Sequence, residues 1–169
     1  MWSRLHGSGE AEVMPCCKVA GFSLIELMIA LAILSLLLGV ATPAFNGMVA
    51  GQRVKTAAAD LHTSLLQARA EAVKRNQRIL IRPASGEGWS DGWVIPDPAT
   101  PASDVNPIFR HRIASGVDIT SAAAQIEFRP NGRTTAAATL EVESSVDSSK
   151  TRCVEIGLDG RARSGACDD

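Results

Sequence analysis

The fold of this 169-residue chain is decided by its most apolar stretch, GFSLIELMIALAILSLLLGVA, at residues 21–41. About 20 apolar residues are enough for a helix to cross the hydrocarbon core of a bilayer. The stretch therefore predicts a membrane-spanning helix over residues 22–41. One carboxylate, that of Glu26, interrupts it. Because a charged side chain inside such a helix costs about 2.5–3.5 kcal/mol on insertion scales, we expect Glu26 to have a function.

Two ordinary interpretations of this segment each leave a feature unexplained. A plain membrane anchor explains the length of the apolar run but not the acid within it. A cleaved secretory signal explains Lys18 ahead of the run, but the apolar region of such signals is only about 7–15 residues long. The residues that follow the run, Thr42, Pro43 and Ala44, also make a poor signal-peptidase site.

The pattern of Gly21 followed by Phe22-Ser23-Leu24-Ile25-Glu26 resembles the class III signal of type IV pilins and type II secretion pseudopilins. In that family a prepilin peptidase cuts after the glycine and methylates the new N-terminal residue, here Phe22. The resemblance implies that residues 1–21 are a cleaved leader and that Glu26 takes part in assembly. In that family the carboxylate meets the N-terminal amine of a neighbouring subunit. Such a contact would reduce the cost of placing both charges in lipid, since opposite charges offset each other's desolvation only when they meet closely.

The leader is longer than the short basic leaders usual in that family, and Met14 offers an explanation. Translation from Met14 would give the compact basic leader MPCCKVAG, which ends at Gly21. Cys16 and Cys17 lie in this leader on the cytoplasmic side of the membrane, and we assign them no lasting role. The sequence leaves the true start codon open between Met1 and Met14.

Beyond the apolar run, an amphipathic pattern predicts that the helix continues over residues 42–76. Apolar residues recur there at alternating steps of four and three, which places one apolar stripe along a helix. The stripe consists of Val54, Ala58, Leu61, Leu65, Ala68 and Ala72. Such a stripe can form a coiled-coil seam or can pack a helix onto a β-sheet, and we favour the sheet.

From Gln77 the hydrophobic period changes to two, which predicts a β-rich domain over residues 77–169. Strand candidates lie at residues 78–82, 89–95 (a turn and then a strand), 108–113, 117–120, 126–128, 139–143 and 152–157. Asn131-Gly132 is a hairpin-turn signal, and Asp159-Gly160 is a second tight-turn signal. A long helix followed by short strands predicts an α+β fold with the helix packed on an antiparallel sheet, and the resemblance to type IV pilins implies that this fold is pilin-like.

Composition limits the functions open to this domain. The formal net charge is −1 at pH 7, so any nucleic-acid binding must come from a local basic cluster. Cys153 and Cys167 form an even pair outside the cytoplasmic membrane, which is most simply a disulfide. No nucleophile motif, phosphate loop or metal-ligand spacing accompanies His62 or His111. We therefore predict that the protein is not an enzyme and needs no metal or other cofactor.

The second half of the chain resembles the FimT/GspH group of the same superfamily. The features that carry this resemblance are, in chain order, Trp89, Gly92-Trp93, Phe128, Asn131-Gly132, Cys153–Ile156 and Gly160-Arg161. The group contains a minor pilin of type IV pili and the H pseudopilin of type II secretion. The resemblance implies a single-pass protein of the bacterial inner membrane with a periplasmic C-terminal domain. With other pilins or pseudopilins, it would assemble into a pilus or pseudopilus.

Two functions share this fold, and Gly160-Arg161-Ala162-Arg163 favours one of them. The segment is similar to the Gly-Arg-x-Arg signature of DNA-binding FimT-type pilins, which implies non-specific DNA binding for natural transformation. Alternation along an extended segment places Arg161 and Arg163 on one face, and guanidinium groups bind phosphate bidentately. Arg152 and Arg133 are weaker candidates for the same surface.

The alternative is a pseudopilin that acts near the pseudopilus tip in protein secretion and binds no DNA. Arginines beside a surface turn often form a solvated edge that blocks strand pairing. Asp159, Asp168 and Asp169 lie close by in sequence and partly cancel the positive field. The sequence leaves open which machine takes up the subunit and where in the filament it lies, and we favour the DNA-binding pilin.

Overall fold

The structure is a computed structural model that describes residues 21–84 and 88–167, with the backbone alone for residues 40–44. The predicted leader up to residue 20, which includes Met14, Cys16 and Cys17, lies outside the described residues, as do Asp168 and Asp169. The described residues form helix α1 (Leu24–Arg75) and eight strands. These are β1 (Ile79–Pro83), β2 (Trp93–Ile95), β3 (Phe109–His111), β4 (Val117–Thr120), β5 (Ile126–Phe128), β6 (Ala138–Ser144), β7 (Thr151–Ile156) and β8 (Ala162–Gly165).

The chain divides after Val40 into two units. The described part of the first unit is the start of α1, and its large apolar side chains between residues 22 and 38 are exposed. Within residues 21–84 and 88–167, no helix combines the length and the apolar character that crossing a membrane requires.

In the second unit, α1 packs on β-strands through the predicted apolar stripe. All six stripe residues are buried, with at most 1% of their surface exposed. They share one hydrophobic core with strand residues from the whole domain, including Trp93, Phe128 and Leu140. The stripe is therefore a helix-to-sheet contact, as predicted. Complete burial of a valine or leucine side chain, such as those of Val54, Leu61 and Leu65, stabilises the folded domain by roughly 1.5–3 kcal/mol per residue.

The strands form two antiparallel sheets of four strands each. The first has the order β3-β2-β1-β5, and the second has the order β4-β6-β7-β8. The predicted antiparallel α+β class is confirmed, and a strand lies at each of the seven candidate positions, whereas β8 was not among the strand candidates. The division into two sheets was not predicted, because a period of two shows which face of a strand is buried but not which strand lies beside it.

The two predicted turns have different roles. Asp159-Gly160 joins the paired strands β7 and β8, and the Gly160 N–H donates to the Gly157 carbonyl at 2.9 Å. Asn131-Gly132 also forms a tight turn, but Thr134 beyond it makes only an isolated bridge to Phe128. The hairpin ends there because the next strand, β6, belongs to the second sheet.

Candidate functional sites

The predicted cleavage bond lies directly before helix α1. Gly21, Phe22 and Ser23 are exposed and have no regular secondary structure. The helix begins at Leu24, and the Leu27 N–H donates to the Ser23 carbonyl at 3.1 Å. The bond between Gly21 and Phe22 therefore lies outside the helix, between two exposed residues.

Glu26 lies in the first turn of α1, and its side chain is exposed. A carboxylate near a helix N-terminus is stabilised by the helix dipole, typically by about 0.3–1 kcal/mol. This is smaller than the roughly 2.5–3.5 kcal/mol that an acid costs within a membrane helix. If residues 22–41 cross a bilayer, as the sequence predicts, the helix dipole alone would not offset the cost of Glu26 there.

The two C-terminal arginines lie on one exposed face of the β7–β8 hairpin. Arg161 and Arg163 are exposed, whereas Ala162 between them is half-buried. Both arginines line one open depression of about 610 Å³ beside β6 and β7. In the strand register Arg163 lies opposite Glu155. The predicted alternation therefore places both guanidinium-bearing side chains along the same surface.

Gly160 holds this hairpin against the turn that contains Gly132. Its φ angle is +73°, and a Cβ atom at this position would lie only 1.9 Å from the Gly132 carbonyl oxygen. The same Cβ would lie 3.4 Å from the Cα atom of Arg133. A hydrogen bond from Thr134 Oγ1 to the Gly157 carbonyl, at 2.8 Å, joins the two turns as well. Glycine is required here both for the turn and for the backbone contact.

The contact between the turns brings Arg133 beside the hairpin. Arg133 is exposed and immediately follows Gly132, which touches Gly160. We call Arg133, Arg161 and Arg163 the arginine patch. All three residues are candidates from the sequence, but no local pattern predicts the contact that joins Arg133 to the other two.

Arg152 does not lie on this surface, contrary to the prediction that it joins the same patch. Along β7 it shares a strand face with Val154 and Ile156, which are buried in the core. Glu155, the partner of Arg163, lies on the opposite face because successive side chains alternate. Arg152 lines a separate depression with Lys55 and other residues.

Asp159 lies in the turn beside Arg161 and carries an opposing charge. Its Oδ1 accepts the Arg161 N–H at 3.0 Å, and its Oδ2 lies 3.8 Å from Arg161 Nε. The backbone hydrogen bond from Arg161 and the charges of Arg161, Arg163 and Arg69 hold the pKa of this carboxyl below its usual value. The carboxylate is therefore ionised at neutral pH and cancels part of the positive field, as predicted.

Arg69 was not identified from the sequence, although its charge reaches Asp159. It is half-buried on α1, next to the buried stripe residue Ala68. Its Nε atom lies 3.1 Å from the position that a Cβ on Gly132 would occupy. Helical periodicity placed Arg69 off the apolar stripe, but no sequence signal indicated that a turn 63 positions later would pack against it.

A disulfide joins Cys153 of β7 to Cys167 after β8, with the Cα atoms 4.9 Å apart. The predicted pairing is confirmed. The bond closes the hairpin that carries Arg161 and Arg163. A cross-link over 14 residues of sequence restricts the unfolded chain by about 3 kcal/mol in the chain-entropy model. The hairpin is thus fixed at its open end by the disulfide and at its turn by Gly132.

The two histidines considered from the sequence have packing contacts. His62 Nε2 lies 3.2 Å from the carbonyl oxygen of Ala162, so it links α1 to β8. His111 stacks on Trp93 with the ring centroids 4.4 Å apart, and its Nε2 lies 3.6 Å from Asp60 Oδ2. Across the described part of the chain, no group of His, Cys, Asp and Glu side chains could hold a metal ion.

Comparison with family models gives two matches that together cover most of the chain. A model described as type II transport protein GspH matches residues 57–160. A model of the prokaryotic N-terminal methylation motif matches residues 16–42. No curated protein sequence gives a significant match.

Solved structures with a similar fold include two crystal forms of the type IV minor pilin FimU from Pseudomonas aeruginosa, each 23% identical to this chain. One has a TM-score of 0.58 and covers 66% of this chain and 87% of its own. The other has a TM-score of 0.57, with coverage of 66% and 91%. The minor pseudopilin EpsH of the Vibrio cholerae type 2 secretion system is 16% identical, with a TM-score of 0.48 and coverage of 68% and 97%. The likeness to FimU shows a shared fold.

Proposed function

The chain belongs to the GspH family of type II transport proteins, and within this family we propose that it is a FimT-like minor pilin that binds DNA through its arginine patch. Together with the N-terminal methylation motif, membership of this family makes the chain a minor pilin or pseudopilin of a type IV pilus or a type II secretion system. Such subunits are structural proteins and not enzymes. The DNA-binding role goes beyond what family membership gives, and it rests on the geometry of the arginine patch.

The observation that carries this proposal is the placement of Arg161 and Arg163 on one exposed face of a fixed hairpin. Residues two apart in a strand are about 6.6 Å apart, which is similar to the spacing of consecutive phosphates along a DNA strand. Arginine side chains bind phosphate oxygens through two parallel hydrogen bonds. Contacts to phosphates carry no sequence information, so binding would be independent of DNA sequence and would weaken with salt.

The second candidate function is that of a type II secretion pseudopilin, and the family model itself favours it by its description. In this role Arg161 and Arg163 would form a solvated strand edge, with Asp159 and Glu155 as their opposing charges. The pilin and pseudopilin functions differ in one testable property, since only DNA binding requires the positive charge of Arg161 and Arg163.

A transformation assay separates these functions in the cell. A strain whose only copy carries Arg161→Ala/Arg163→Ala should take up DNA at the level of the deletion strain while still forming pili, because both exposed arginines can be removed without a change in the core. Transformation frequency and surface pili would be measured in parallel. Wild-type DNA uptake by this strain, or loss of protein secretion without loss of transformation in the deletion strain, would favour the secretion function.

The methylation motif implies processing by a prepilin peptidase and assembly with other pilins or pseudopilins. We place the cleavage between Gly21 and Phe22 and the methyl group on the Phe22 amine. We further propose that residues 22–41 anchor the subunit in the inner membrane, that residues 42–76 continue the helix and that residues 77–169 form the periplasmic domain. The exposure of Gly21 and Phe22 ahead of α1 supports this cleavage position.

Replacing Glu26 with alanine should leave membrane insertion and cleavage intact but strongly reduce incorporation into filaments. The reason is that the new Phe22 amine of a neighbouring subunit would lose the carboxylate that offsets its desolvation. Sheared filaments and membranes would be compared by immunoblot. Ser35→Ala is the matched control, since it removes a polar group from the same segment without changing a charge. Normal incorporation of Glu26→Ala would exclude the charge-pairing role.

A further inference from the structure

We propose that Arg69 of helix α1 is a further phosphate-binding residue, which extends the arginine patch from the β7–β8 hairpin onto the helix. This inference rests on the proposed DNA-binding function and adds a contact residue that the Gly-Arg-x-Arg segment does not contain. The ligand group is a phosphodiester of the DNA backbone.

Arg69 is linked to the arginine patch through the turn that contains Gly132 and the turn that contains Gly160. Arg69 lies directly over Gly132, because its Nε and Cγ atoms lie 3.1 Å and 3.6 Å from the position of a Cβ on that residue. The carbonyl oxygen of Gly132 in turn touches Gly160, and Arg161 follows immediately. Arg69 is therefore connected to the hairpin by a side-chain contact with Gly132, which Val73 also touches, and by the backbone contact between Gly132 and Gly160.

Asp159 gives independent evidence that Arg69 lies in the same electrostatic environment as the patch. The charge of Arg69 acts on the Asp159 carboxylate together with those of Arg161 and Arg163, and all three lower its pKa. The charges of all three guanidinium groups therefore act on one carboxylate. A phosphate that binds to the arginine patch would then also be attracted by the charge of Arg69 on the helix.

The surroundings of Arg69 also restrict its side chain before any ligand binds, which favours its use as a hydrogen-bond donor. Its side chain is half-buried, with its stem against Gly132, so part of its conformational entropy is already lost before DNA binds. Among the described residues, no carboxylate lies within ion-pair distance of Arg69. By contrast, Arg75 on the same helix is paired with Glu71. The guanidinium of Arg69 is therefore available to an external anion.

A binding experiment on the full-length chain in non-ionic detergent micelles tests this inference. Fluorescence anisotropy with a labelled, mixed-sequence duplex would be recorded over a series of salt concentrations. Arg69→Gln keeps the stem over Gly132 but removes the charge, so affinity should fall about tenfold. The slope of log K against log salt should become shallower by about 0.9, the value for one phosphate contact. Arg69→Lys should retain most of the affinity and the slope.

Lys74→Gln provides the matched control. It removes one positive charge from the same helix, at a side chain that is 75% exposed and paired only at the surface with Glu71. Its binding should equal that of the wild type. Thermal unfolding of every variant should also match the wild type, since Arg69→Gln preserves the packing on the turn.

The possible outcomes separate this inference from the proposed function. If Arg69→Gln binds with the wild-type affinity and slope while Arg161→Ala/Arg163→Ala loses binding, the arginine patch stands and Arg69 is not part of it. If Arg69→Gln and Arg69→Lys lose affinity equally and both unfold at lower temperature, Arg69 has only a structural role and the inference is overturned. If the wild-type chain fails to bind the duplex, the DNA-binding function and the role of Arg69 are both wrong.

Discussion

Replacing Arg161 and Arg163 together with alanine should weaken the binding of duplex DNA about a hundredfold, because two charge-assisted hydrogen bonds of about 1.5 kcal/mol each are lost. Both side chains are exposed, so the fold should be unaffected. The slope of log K against log salt should become shallower by about 1.8, twice the value for one phosphate contact. Anisotropy titrations of the full-length chain in non-ionic detergent would measure both quantities.

The control for this variant removes the same number of charges elsewhere. Lys74 and Arg78 are 75% and 69% exposed and have surface ion pairs with Glu71 and Glu127. The double change Lys74→Ala/Arg78→Ala should therefore leave DNA affinity unchanged. If both double variants weaken binding to the same extent, the interaction depends on overall charge and the arginine patch has no special role.

Asp159→Asn tests the same surface in the opposite direction. The amide oxygen of asparagine can still accept the Arg161 N–H that Asp159 Oδ1 accepts, so the turn is preserved while the negative charge is removed. Because the arginines keep the pKa of Asp159 low, the wild-type carboxylate is charged throughout the neutral range and repels phosphate. The variant should bind DNA more tightly than the wild type. Unchanged affinity would place the bound phosphates away from Asp159.

Gly160→Ala should destabilise the domain by about 3 kcal/mol, through backbone strain at a positive φ angle and through overpacking. The added methyl group would lie 1.9 Å from the Gly132 carbonyl oxygen. Since this oxygen belongs to the backbone, only a separation of the two turns can relieve the clash. For a domain of this size, the melting temperature should fall by about 10 °C, as followed by circular dichroism of the full-length chain with the disulfide intact.

Gly165→Ala is the matched control, because Gly165 lies in β8 of the same hairpin and no atom lies within 4 Å of its added Cβ. Its stability should equal or slightly exceed that of the wild type, as expected for glycine-to-alanine changes at unstrained positions. Equal melting temperatures for Gly160→Ala and Gly165→Ala would contradict the contact between the two turns.

Local sequence patterns predicted the parts of this fold that depend on local geometry. The stripe from Val54 to Ala72 is buried at every predicted position because a helix repeats each 3.6 residues, whatever it packs against. The exposed placement of Arg161 and Arg163 followed from strand alternation in the same way. Local periodicity is sufficient to predict which face of a single helix or strand is buried.

Contacts between distant elements could not be predicted in this way. The meeting of Gly132 with Gly160, and of Arg69 with Gly132, depends on how two sheets and a helix pack, and no local pattern encodes such packing. The misplacement of Arg152 has a related cause. It lies next to Cys153 in sequence, but a shift of one residue along a strand moves a side chain to the opposite face.

The backbone contact between Gly132 and Gly160 fixes the shape of this surface without using the charged side chains on it. Because main-chain atoms alone form the contact, the exposed side chains at positions 161 and 163 contribute little to it and can be exchanged at little cost in stability. The same scaffold can then gain or lose affinity for a polyanion through two substitutions, without refolding. Such independence of scaffold and surface would allow one pilin-like fold to serve both subunits that bind DNA and subunits that do not.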